Sequence, residues 1–179
     1  MYVAGKMTGY AVGIVVGIII VFILLKYMNR DKMFRTRYDE KQEIARGKGF
    51  KVAFFTVIIY DAVMAFITST FQNIPVNGFV IHFFSVLLGV TVFASYCIWK
   101  DAYIGLNTNA PRFYIICLVL GIVNIAISVM NYLNGSLIVD GVWQDSAANI
   151  CTGLLFVVIG VQLFIKSMID SKESDAEEE

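Results

Sequence analysis

Two side chains are placed where they could do chemistry. Asp61 is the one formal charge, and His82 the one imidazole, within the long apolar runs of this chain. A carboxylate at the centre of a bilayer costs about 2.5 to 3.5 kcal/mol on insertion scales. An acid in such a position therefore serves a proton or cation pathway, or donates a buried hydrogen bond in its protonated form. Helical spacing attaches further polar residues to it. Asp61, Ala65, Thr68 and Gln72 recur at intervals of 4, 3 and 4, and Cys117, Gly121, Asn124, Ser128 and Asn131 at 4, 3, 4 and 3. Each set marks one helix face. His82, Ser85, Gly89 and Tyr96 make a looser third stripe, and Gln162 stands alone near the end of the last apolar run.

Counting about 1.5 Å of rise per residue from Lys51 and from Arg112 puts Asp61 and Asn124 at similar depths near the bilayer middle. That pairs them as hydrogen-bonding partners. Most of the other stripe residues, including Thr68, Ser128 and Asn131, fall in the outer half. The expectation is a polar vestibule open to the outside and ending at Asp61, with no second ionisable group in easy reach of it. Signatures of catalysis are absent: there is no Walker phosphate loop, His-Glu-x-x-His, Cys-x-x-Cys or Gly-x-Ser-x-Gly. Tyr60-Asp61 matches half of an intramembrane aspartyl protease signature, but the required second acid in a Gly-x-Gly-Asp is missing. No catalytic residue, metal site or cofactor is expected.

The elements that must hold these residues are five apolar stretches, 7–25, 52–71, 79–99, 113–133 and 147–165. A hydrocarbon core of about 30 Å needs roughly 20 helical residues, and only helices or closed barrels satisfy their own backbone in lipid. Barrel strands would be about half as long and would alternate polar with apolar. The fold class expected is all-α, a bundle of five transmembrane helices forming one domain over 1–170. Hydrophobic residues make up 58% of the chain, which excludes a disordered protein of this length. Of the fourteen basic residues, nine lie between Lys26 and Lys51, two between Lys100 and Arg112, and two after Ile165. The connections 72–78 and 134–146 hold none. The positive-inside rule then places the N-terminus outside and the C-terminus in the cytoplasm.

The first stretch is read as a permanent span, because its basic flank follows the apolar run and no small-x-small cleavage site comes after it. Gly5, Gly9, Gly13 and Gly17 recur in it at intervals of four, giving one helix face without side chains. Such a face lets another helix approach closely, either within the bundle, on a second copy or on a separate membrane protein. In the loop 26–51, Thr36 with Asp39 reads as a capping box for a short helix over 37–46, ending before Gly47. Its basic residues Arg35, Arg37, Lys41 and Arg46, with Lys48 and Lys51, could meet anionic headgroups at about 1 kcal/mol each. The tail 171–179, with four glutamates and one aspartate, reads as a disordered solvated end. Trp143 reads as an interfacial anchor, and the cysteines as packing residues.

The run Tyr38-Asp39-Glu40-Lys41-Gln42, then Ala45-Arg46-Gly47-Lys48-Gly49-Phe50-Lys51 and Phe54-Phe55-Thr56, resembles a stretch of small uncharacterised membrane proteins of Gram-positive bacteria. The resemblance covers residues 38–56 and implies a bacterial plasma membrane, without implying an activity. The reading favoured is a non-enzymatic accessory, immunity-type or regulatory partner docking through the glycine face and the basic loop. The alternative is a small transporter or channel subunit using Asp61. Nucleic acid is not an expected partner.

Overall fold

The structure is a computed structural model that describes residues 15, 16, 19, 36–71, 73–106 and 110–177. The chain divides into two compact units, Met1–Arg37 and Tyr38–Glu179. Of the first apolar stretch, Val15, Val16 and Ile19 are helical. Gly5, Gly9, Gly13, Gly17 and Arg35 lie outside the described residues.

The second unit is almost wholly helical. Helix α1, Glu40–Thr70, is capped by Asp39, whose carboxylate accepts from the Gln42 backbone N–H at 2.7 Å. The Gln42 side chain accepts in return from the Asp39 backbone N–H at 3.2 Å. This is a capping box three residues later than the one expected at Thr36, because Asp39-x-x-Gln42 supplies both reciprocal acceptors. The expected stop at Gly47 is also absent, and the short helix and the second span are one element of 31 residues. Two glycines cost a helix about 1 kcal/mol each relative to alanine. Tertiary contact offsets part of this: Gly49 is buried, and a Cβ there would stand 3.0 Å from Tyr96 Cδ1 and 3.2 Å from Cys97 Sγ.

Helix α2, Gly78–Ile98, begins at Asn77, whose side chain accepts from the Phe79 N–H at 2.8 Å. Helix α3 follows at Ala110–Leu133 and helix α4 at Ala148–Glu177. The last runs through most of the stretch read as a solvated tail. Between α3 and α4, strands β1 (Ile138–Val139) and β2 (Val142–Trp143) form an antiparallel hairpin. Its turn, Asp140-Gly141, has φ of 50° and 75°. Asp-Gly between apolar residues is a strong signal for a two-residue turn needing positive φ at both positions, and the sequence reading overlooked it.

Among the described residues, four helical segments, Glu40–Thr70, Gly78–Ile98, Phe113–Leu133 and Asp145–Lys172, are long and apolar enough to cross a membrane. They pack as a row. Among the described residues α1 packs on α2, α2 on α4, and α4 on α3. Ala94, Ile98, Cys117, Leu155, Ile159 and Leu163 form the buried cluster shared by α2, α3 and α4. A second cluster of Val80, Leu137 and Ala147 closes the other end, where β2 meets the α1–α2 connection. There the Trp143 N–H donates to the Pro75 carbonyl at 3.0 Å, and the Asn77 N–H to the Trp143 carbonyl at 2.9 Å.

Glycines make the helix contacts close. A Cβ on Gly121 would lie 2.7 Å from Val157 Cγ2 and 3.2 Å from the Gly153 carbonyl oxygen. One on Gly153 would lie 3.2 Å from the Gly121 carbonyl oxygen, and one on Gly160 would meet Leu118 at 2.9 Å. Helix α1 meets α2 the same way, with Val57 lying over Gly89. Lipid tails are as apolar as leucine, so helices in a membrane gain by close van der Waals packing of this kind.

Candidate functional site

The antiparallel register of α1 and α2 is set by Phe50 against Phe93 (ring centroids 5.1 Å apart), Val57 over Gly89, and Tyr60 against Phe84 (5.6 Å). The same register carries Asp61 to His82, with Oδ1 3.7 Å from Nδ1. That separation suits an ion pair but exceeds a hydrogen bond. The Asp61 side chain is 42% exposed and that of His82 76%, yet Asp61 Oδ1 itself is buried and accepts no hydrogen bond from a described residue. One turn beyond His82, Ser85 is buried with its hydroxyl also unpaired.

This arrangement differs from the pairing expected for Asp61. Asn124 lies on α3, at the far end of the row, and donates its side-chain N–H to the Leu120 carbonyl of its own helix at 2.8 Å. The ionisable neighbour thought to be missing is His82. Along their own helices, His82 lies four residues, about 6 Å of rise, from Gly78, and Asp61 nine residues, about 14 Å, from Thr70.

The second stripe is a single face, as its spacing predicts, and it faces α4. Cys117, Gly121 and Ser128 are buried, and Asn124 and Asn131 half-buried. Ser128 donates to the Asn124 carbonyl at 2.9 Å, and the Asn131 carbonyl accepts from the backbone N–H groups of Ser136 and Leu137. On α1, Thr68 donates to the Ala65 carbonyl at 3.1 Å. The two stripes sit on opposite ends of the row, so they do not line one vestibule. The Thr68 and Ser128 hydroxyls and the Asn124 amide each bond within their own helix. Gln162, half-buried on α4, has its side-chain oxygen unpaired among the described residues.

A polar cap at the opposite end of the row was not foreseen. The connection after α2 turns at Asp101, whose φ of 54° is left-handed. Three side chains hold it there. Gln42 donates to the carbonyls of Asp101 (2.6 Å) and Ile104 (3.3 Å), and Arg46 to that of Ala102 (3.1 Å). Lys166 bridges the carboxylates of Asp101 (3.0 Å) and Asp170 (2.8 Å). The Arg46 guanidinium also lies 4.1 Å from the Tyr38 ring centroid and 5.3 Å from that of Phe93. Arg46, grouped by sequence with the membrane-surface bases, is thus half-buried in this clamp, while Arg37, Lys41, Lys48 and Lys51 are exposed.

Beside the clamp is a cavity of about 340 Å³ lined by Asp101, Tyr103, Lys166, Ser167 and Asp170 among others. Burial pushes the Tyr103 phenol up to about 12, and the Cys117 and Cys97 thiols add to the shift. The phenol is therefore neutral at physiological pH. Sequence reasoning missed this cap because Gln42 and Arg46 reach backbone carbonyls, which no residue type reveals.

Among the described residues, no three His, Cys, Asp or Glu side chains come together as a metal-holding group. Fold and site together define a helical protein with four described segments able to span a membrane and one acid–imidazole contact between two of them. No family model, curated protein or solved structure matches the chain.

Proposed function

We propose that this is an integral protein of a bacterial plasma membrane, non-enzymatic, that works as an accessory, immunity-type or regulatory partner of another membrane protein. The N-terminus would face outward and the basic loop would meet anionic headgroups of the inner leaflet. The observation that carries this reading is the use the chain makes of glycine. Gly49, Gly89, Gly121, Gly153 and Gly160, inside the described helices, each have a neighbouring helix within close contact. Gly47, on an exposed side of α1, and Gly78, at the start of α2, have nothing within 4 Å. A face of four glycines at Gly5, Gly9, Gly13 and Gly17 by the same logic seats another helix. Native mass spectrometry of protein gently extracted from its host membrane should show a co-purifying membrane protein that Gly13→Leu releases. A species that is the same in wild type and variant would return the face to internal packing.

A second reading, a small transporter or channel subunit, is favoured by the Asp61–His82 contact. It requires Asp61→Asn to abolish proton or cation flux in reconstituted vesicles while thermal stability is retained. Flux equal to that of the wild type would remove it.

A further inference from the structure

Between Lys51 and Lys100 the chain holds one acidic side chain and one basic side chain, and the fold sets them against each other on different helices. We propose that Asp61 and His82 form a binding site for a proton, holding one proton between them and exchanging it with water at the α1–α2 connection. With one proton the pair is net neutral in either arrangement, carboxylate with imidazolium or carboxylic acid with imidazole. Interconversion breaks the Nδ1–H bond, leaves its electron pair on nitrogen and forms an O–H bond on Oδ1, so no other reactant is needed. Removing the proton would strand a lone carboxylate in an apolar helix, and adding a second would strand a lone imidazolium. Both outcomes leave a charge without its partner, and for the carboxylate the cost is higher because the Asp61 oxygen that faces His82 is buried. The proton therefore belongs to the pair and not to either group alone.

The geometry gives the site a direction. The imidazole is the exposed member, near the start of α2, and the Asp61 oxygen that faces it is buried and free of hydrogen bonds from the described residues. A rotamer change closes the 3.7 Å between them. Ser85, fully buried and with an unpaired hydroxyl, is the next group able to hydrogen-bond along the same helix. Among the described residues the other titratable neighbours are the Tyr60 phenol beside Asp61 on α1 and the Cys151 thiol of α4, which lies within electrostatic reach of Tyr60. No lysine or arginine occurs on α2, or on α1 beyond Lys51. The inference is independent of both readings above, because proton binding is measured without a partner and without flux.

His82 is the chain's single histidine, so histidine-specific ¹⁵N labelling reports it without ambiguity. The experiment is solid-state NMR of the full chain in lipid vesicles, stepped in pH, for wild type and Asp61→Asn. The expected result is a His82 midpoint displaced by about one pH unit or more in the variant. An unchanged midpoint overturns the proposal. Should Asp61→Asn fail to fold, the wild type alone decides: infrared carboxyl bands and the His82 signals must change at shared midpoints, and independent midpoints overturn the proposal equally.

Discussion

Gly121→Leu is expected to separate α3 from α4 and to lower stability by about 3 kcal/mol, at the upper end of overpacking costs. The atoms a new Cβ would meet include the Val157 backbone nitrogen at 3.1 Å and the Gly153 carbonyl oxygen at 3.2 Å. Backbone cannot rotate aside as a side-chain tip can, so the helices must part, and Cys117 and Leu155 in the shared cluster lose contact as they do. The higher helix propensity of leucine, about 1 kcal/mol over glycine, offsets only a fraction. Gly78→Leu is the control, since that site has open space around it. Unfolding in detergent with rising denaturant would compare them. Equal midpoints for the two variants would mean the close crossing is not what holds α3 to α4.

Arg46→Ala is expected to cost about 2 to 3 kcal/mol by loosening the polar cap. A hydrogen bond from a charged donor contributes about 1.5 to 3 kcal/mol. The position of the guanidinium over Tyr38 adds about 0.5 to 1 kcal/mol. The loss reaches Asp101 because a non-glycine residue at φ of 54° is held against an intrinsic cost of about 1 to 2 kcal/mol. Arg46→Lys should recover little, as an ammonium lacks the planar face and fixed fork that serve the ring and the carbonyl together. Hydrogen exchange at the Ala102 amide, which donates to the Cys97 carbonyl at 2.8 Å, would report the loosening directly. Exchange as slow as in the wild type, together with an unfolding midpoint no lower than that of Lys41→Ala, would show the clamp to be dispensable.

Apolar run length by itself determined where four of the long helices lie, because lipid leaves a chain no other way to satisfy its backbone. Spacing determined which face of α3 is buried: Cys117, Gly121 and Ser128 fall on it as their 4, 3, 4 intervals require. What spacing could not convey is the identity of the helix that covers a face. Asn124 and Asp61 were matched by depth alone, and depth is shared by residues on every helix of a bundle, whereas the row order α1, α2, α4, α3 keeps those two apart. His82 became the partner of Asp61 through the register of two helices, itself set by Gly49 and Gly89 allowing close approach. The clamp on Asp101 was decided the same way, since Gln42 and Arg46 reach backbone carbonyls across dozens of residues of sequence. Local chemistry thus determined elements and buried faces, and tertiary packing decided which faces met, because a contact between helices depends on the shapes of both.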